Sequence, residues 1–256
     1  MSVPKPAAAD LTETKASAEQ RSHRESLYRL YRDSPIPLEH LLQHPALYMR
    51  SSALAKILML HELYQLVVDI PGIIVEFGCW LGQNLVLCEN LRAIYEPFNQ
   101  SRRVIGFDTF TGYASLTDMD TASVFTSGGY QLPEGYSDHL QELLAYHEAN
   151  NVLGHIKKHE LVVGDVLETA PKWFAENPQH LVALAYLDLA TYEPTKACLN
   201  AIKPHLVPGS VLLMDELNDR AYPGATIAFK EVFGNMKYRV VKSKFMTDRS
   251  IVVVEQ

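Results

Sequence analysis

The 256 residues carry 30 acidic against 23 basic side chains, a formal charge of −7, with 47% hydrophobic and 21% charged residues. This balance is that of a packed globular chain and excludes disordered and fibrous classes. No sustained Lys/Arg cluster is present to track a phosphate backbone, which sets nucleic acid aside as a partner.

From Met1 to Ala16 the composition is that of a loose, disordered tail, and Met1 to Arg21 lacks the basic flank and apolar centre of a secretory signal. Glu19 to Arg32 mixes charges with Leu27, Leu30 and Tyr31 at near-helical spacing, so a helix is predicted there. Pro35 and Pro37 break it. A second helix is predicted over Ser52 to Asp69, capped by Ser51 or Ser52, with Leu54, Ile57, Leu58, Leu60, Leu63, Leu66 and Val67 on its apolar face. Residues 1–70 are thus read as a tail and an N-terminal helical extension, and 71–256 as one domain.

Beyond Pro71 and Gly72 the chain alternates strand-like and helix-like blocks, the pattern of a parallel sheet with helices on both faces. Strands are predicted at Ile73–Phe77, Arg103–Phe107, Leu161–Val163, Val182–Leu187 and Val211–Met214. The helices between and after them are Asn84–Tyr95, Ser137–Asn151, Thr169–Asn177, Thr195–Ile202 and Pro223–Phe233. Two last strand-like runs, Tyr238–Val241 and Ile251–Glu255, have no helix-length segment between them and must pair as a hairpin. The fold class is α/β, Rossmann-like: a mostly parallel seven-stranded sheet ending in an antiparallel hairpin. The irregular stretch Asp108 to Tyr136, with Gly112, Gly128, Gly129, Pro133 and Gly135, has the length of a lid. No run approaches the ~18 apolar residues of a membrane span. Cys79, Cys88 and Cys198 lack the spacing of a disulfide framework or zinc knuckle, so a reducing, cytoplasmic setting is expected.

The chemistry gathers at strand ends. Glu76-Phe77-Gly78-Cys79-Trp80-Leu81-Gly82 closes the first strand with a glycine turn through which backbone can approach a ligand. Trp80 stands where a dinucleotide fingerprint needs its middle glycine, which favours a cofactor without a pyrophosphate and disfavours a nicotinamide oxidoreductase. Asp108 ends the second strand, where doubly wound folds use a carboxylate to accept ribose hydroxyls. Asp165 and Asp188 end the next two. Asp215 and Glu216 follow the fifth and, with Asp188, offer three oxygen ligands suited to Mg²⁺. The alternative is that Asp215 and Glu216 cap the following loop.

Taken in order, Val75 to Gly82, Gly106 to Gly112, Gly164-Asp165, Asp188 with Tyr192-Glu193-Pro194-Thr195, Pro208-Gly209 and Asp215-Glu216 resemble the macrocin O-methyltransferase (TylF-like) family over about Met49 to Gly234. The resemblance implies a class I methyltransferase fold, S-adenosylmethionine, a divalent cation such as Mg²⁺, and a deoxysugar acceptor, nucleotide-linked in some members. By position it implies cofactor contacts from Glu76, Gly78, Gly82, Asp108, Asp165, Arg50 and Ser51, and metal contacts from Asp188, Asp215 and Glu216. Self-association through the N-terminal helices is a further expectation. Two departures stand out. The family usually reads Asp-x-Asp before the Tyr-Glu pair, its second carboxylate proposed as the base, and here that position is Ala190. Where the family has two aspartates, this chain has Asp215-Glu216. Activation of the acceptor would then fall to Asp188 through the cation, or to a histidine such as His139. A phenol or β-lactam acceptor, or cofactor binding without catalysis, remain open alternatives.

Overall fold

The computed structural model describes residues 17–112, 118–120 and 130–256. The tail expected over Met1 to Ala16, and much of the lid expected over 108–136 including Gly128 and Gly129, lie outside the described residues. The chain divides into two compact units, Met1–Ile57 and Leu58–Gln256.

In the first unit, helix α1 (Ala18–Arg32) starts at a capping box. The Ser17 hydroxyl accepts from the Gln20 backbone at 3.2 Å and the Gln20 side chain accepts from the Ser17 backbone at 3.0 Å, which satisfies two otherwise orphaned N–H groups. A short helix α2 (Leu38–Gln43) and a 3₁₀ turn at Pro45–Tyr48 follow. Neither has enough turns to register as a periodicity in the sequence. Tyr31 packs edge-on against Tyr48 at 5.1 Å, and Tyr48 donates to the Ser34 hydroxyl at 3.0 Å. Helix α3 (Ser51–Val67) buries Met59, Leu60, Leu63, Tyr64 and Val67. These side chains join the core of the second unit, so the division falls inside α3, ahead of the 70/71 boundary drawn from the sequence.

The second unit is a seven-stranded sheet in the order β3-β2-β1-β4-β5-β7-β6. Its strands are β1 (Ile73–Phe77), β2 (Val104–Asp108), β3 (His159–Val163), β4 (Val182–Leu187), β5 (Leu206–Met214), β6 (Tyr238–Lys242) and β7 (Ser250–Val254). The first five are parallel. The expected hairpin is present, and β7 inserts antiparallel between β5 and β6. Helices α4 (Gln83–Tyr95), α5 (Tyr136–Ala149), α6 (Val166–Glu176), α7 (Tyr192–Ile202) and α8 (Pro223–Phe233) complete the unit.

Alternation along the strands splits the apolar side chains between two cores. Ile73, Val75, Phe77, Ile105 and Phe107 pack with α6, α7 and α8 through Phe174, Leu199 and Phe233. Ile74, Val104, Leu184 and Leu213 pack with α3, α4 and α5 through Leu63, Leu85 and Leu140. With both faces covered, strands β1 and β4 are buried at every residue, which is why they read as continuous apolar runs. Chain reversal in strand order between β1 and β4 opens a crevice at the carboxyl ends of the strands. Among the described residues, no helix is long and apolar enough to cross a membrane.

Candidate active site

The turn after β1 is built on a close backbone approach. Gly78 has φ +84°, and a Cβ there would lie 2.1 Å from the Asp188 carbonyl oxygen, so only glycine fits. The Gly78 N–H donates to the Phe107 carbonyl and the Asp188 N–H to the Phe77 carbonyl, both at 2.9 Å. These bonds draw the ends of β1, β2 and β4 together. Gly82, φ +72°, opens α4.

The carboxylates predicted at the rim divide by what they touch. Glu76 is buried and accepts from the Asn84 side-chain amide at 2.5 Å. Asp108 accepts from two backbone N–H groups, Trp80 at 2.7 Å and Phe110 at 2.7 Å. It therefore ties the β1 turn to the β2 turn, while its remaining lone pairs can still meet a ligand. Asp165 is the N-cap of α6 and accepts from the Leu167 N–H at 2.9 Å, a structural duty at the helix start. The buried Cys79 thiol is pushed well up by burial and then by the charges of Glu76, Asp108 and Asp188. Those three carboxylates therefore act on one neighbourhood. Cys79, Cys88 and Cys198 are all free and buried.

Asp188, Asp215 and Glu216 come together at the ends of β4 and β5, each with a carboxylate oxygen within 4.8 Å of the others'. Burial pushes the Glu216 carboxyl well above its usual range, and Asp188 and Asp215 push it further in the same direction. Concentrated negative charge in a poorly solvated place is what a hard cation neutralises. Two partners were not legible in the sequence. Arg249, just before β7, forms an ion pair with Asp215, and the buried Tyr186 hydroxyl donates to the same carboxylate at 3.4 Å. Their separation from Asp215 along the chain gives no local signal.

His139 is exposed on α5, edge-on to Tyr136 at 5.9 Å. Arg50 lines a cleft of the first unit with Gln20, His23, Arg24 and Leu27, and Ser51 begins α3. Ala190 is buried with φ +58°. Asp120, which sequence reasoning passed over, is buried and accepts from the Tyr192 N–H at 2.9 Å, fixing the residues 118–120 to the start of α7.

A second gathering of ligand-type groups, Glu89, Glu148 and His159, meets the same 4.8 Å spacing. It lies between α4, α5 and β3 and includes its own cations: Lys158 and Arg92 each pair with Glu148 at 2.7 Å, and His159 meets Glu89 at 2.8 Å.

Residues 75–217 match the family described as "Methyltransferase domain". The crystal structure of CalS11, a calicheamicin methyltransferase, is 37% identical, covers 98% of this chain and 99% of its own, and superposes with a TM-score of 0.86. An apo structure of CalS11, named as a TDP-rhamnose 3'-O-methyltransferase, is 37% identical over 94% of this chain and 96% of its own, with a TM-score of 0.80. The O-methyltransferase NovP, 18% identical over 77% of this chain and 79% of its own at a TM-score of 0.61, shares the fold. No curated protein sequence matches the chain. With a rim, a strand order and a near full-length relative in agreement, the chain belongs to the methyltransferase-domain family and is an S-adenosylmethionine-dependent O-methyltransferase.

Proposed function

We propose that this enzyme methylates a hydroxyl of a nucleotide-linked deoxysugar such as TDP-rhamnose, with a divalent cation, best Mg²⁺, held by Asp188, Asp215 and Glu216. The observation that carries the reading is the convergence of those three carboxylates beside the Gly78 turn. The 37% identity to CalS11 over nearly the whole chain supports the acceptor class.

When bound, S-adenosylmethionine supplies an electrophilic methyl, and a dication supplies acidity to an alcohol oxygen, an effect of roughly 9 pKa units for zinc-bound water. The residues do the positioning. Glu76, Gly78, Gly82, Asp108 and Asp165 would hold the donor, with Arg50 and Ser51 as further candidates. The Trp80 and Phe110 N–H groups on Asp108 keep that carboxylate aimed, and orientation of this kind removes much of an entropic barrier. Ala190 offers no base, so Asp188 would act through the cation it helps to hold, with His139 as the alternative proton acceptor. The free buried thiols suit a reducing cytoplasm. Exposed Tyr28, Leu30, Leu38, Leu42 and Leu47 in the first unit support self-association.

The test is transfer of labelled methyl to TDP-rhamnose and to a panel of nucleotide sugars, phenols and β-lactams, with and without EDTA. The proposal expects label on a nucleotide sugar, lost in EDTA and restored by Mg²⁺. Full activity in excess EDTA removes the cation, and label on a phenol or β-lactam alone removes the sugar.

A further inference from the structure

The carboxylate cluster is met by a cation, Arg249. Its Nε pairs with Asp215 Oδ1, and its terminal nitrogen reaches the Asp215 carbonyl at 3.5 Å. The same terminal nitrogen also donates to Asp248 at 2.9 Å. Asp248 is exposed, so the guanidinium has a second carboxylate within reach that faces water. The backbone of the turn is fixed independently: the Arg249 N–H donates to the Met246 carbonyl at 3.0 Å, and the Ser243 N–H donates to the Arg249 carbonyl at 3.2 Å. A change of partner therefore asks only the side chain to move.

The charges give this arrangement a direction. Three acidic groups gather there, and the Arg249 guanidinium already draws on the charge of Asp215. A dication and the guanidinium draw on the same Asp215 oxygens and repel each other at close range. Arginine cannot lose its proton to relieve this. We propose that Arg249 is a built-in counter-ion of the cluster which a divalent cation must displace from Asp215, so that this residue sets how tightly the metal is held. The inference rests on the reading of Asp188, Asp215 and Glu216 as metal ligands.

The opposite role is a guanidinium that supports Asp215 from behind and steadies it as a ligand, as hydrogen-bonding partners of metal ligands commonly do. The two roles differ in sign. Mn²⁺ binding, read by loss of the free-ion signal in electron paramagnetic resonance, separates them without any turnover measurement. Arg249→Gln and Arg249→Met should bind Mn²⁺ at least about tenfold more tightly than the native chain, while Arg249→Lys stays within about threefold. Thermal melts should show Arg249→Gln less stable without Mn²⁺ and recovering more on its addition. Unchanged or weaker Mn²⁺ binding in folded Arg249→Gln or Arg249→Met overturns the counter-ion role and leaves the metal site standing. Absence of Mn²⁺ binding by the native chain and by every variant overturns the metal site, and the counter-ion role with it.

Discussion

Two clusters in this enzyme offer a metal the same donor spacing, yet they have opposite electrostatics. Around Glu148, burial would raise the carboxyl, but Lys158 and Arg92 outweigh it and hold it below the usual range. Around Glu216, burial raises the carboxyl and the neighbouring Asp188 and Asp215 add to the rise, against the opposing charge of Arg249. The backbones differ in degree. Trp80, Phe110, Ala190 and Asn218 take left-handed φ angles of +46°, +57°, +58° and +67° just past β1, β2, β4 and β5, whereas beside the buried cluster Leu153, whose carbonyl accepts from Lys158 at 2.9 Å, takes +58° and Glu89, Arg92 and Glu148 are helical. In the proposed reading, strain and unbalanced charge mark the ligand-binding rim and balanced charge marks the packed core. Donor geometry alone is the same in the two clusters, and the surrounding charge is what favours the proposed metal reading for one of them.

The comparison breaks first at Asp188. Asp188→Asn or Asp215→Asn should lower turnover by more than about a hundredfold, beyond what is usual for groups one bond removed from a metal. Affinity for S-adenosylhomocysteine, followed by calorimetry, should stay within about threefold, because the donor lies against Glu76 and Asp108 in this reading. Turnover within tenfold of the native enzyme would place the chemistry elsewhere. The buried cluster should answer oppositely. Glu148→Gln leaves Arg92 and Lys158 buried without their carboxylate, and breaking such a pair costs about 3–5 kcal/mol. Urea melts should show that loss, with Mn²⁺ binding by the folded variant unchanged.

Acid should sharpen the contrast. A carboxylate with a depressed folded-state pKa contributes stability above its unfolded value, near about pH 4.3 for glutamate, and loses it as pH falls through the lower folded value. The stability gap between the native chain and Glu148→Gln should therefore be constant from pH 6 to 8 and shrink below about pH 4.3. Glu216, raised instead of lowered, gives the reverse sign: its ionised form destabilises the fold as pH rises through its unfolded value. Glu216→Gln should consequently melt higher than the native chain at pH 7 in EDTA. A lower melting point there would mean that Glu216 is held by partners that offset its burial.

Much of this was legible from residue order. Strands β1 and β4 announce themselves as apolar runs because both faces of the sheet are covered, and their ends carry Gly78 and Asp188 because a turn must follow. The hairpin was forced by the missing crossover between Tyr238 and Glu255. The rim cluster was readable because Asp188 and Asp215 are each the first polar residue after a strand, and Glu216 follows Asp215 directly. What stayed hidden depends on pairing across the chain. Arg249 reaches Asp215 only through the antiparallel insertion of β7 beside β5, and Arg92 meets Glu148 across helices 56 residues apart. The same holds for Asp108 and Asp165, whose positions were legible while their bonds to the Trp80, Phe110 and Leu167 amides were not.

Ala190 gives the smallest effect and a direct measure of strain at the rim. Left-handed backbone costs an L-residue about 1–2 kcal/mol, and aspartate tolerates it better than alanine because its short polar side chain can bond locally. The position that the TylF-like resemblance assigns to a carboxylate thus keeps here the backbone suited to that residue without the side chain. Ala190→Gly should relieve the strain, less the extra freedom glycine gains on unfolding, for a net gain of roughly 0.5–1 kcal/mol. The same exchange at Ala145, an exposed residue inside α5, should instead cost about 0.5–1 kcal/mol. Paired urea melts read the difference in sign. If both variants lose stability alike, the rim at Ala190 stores no strain, and the contrast between the two clusters reduces to charge.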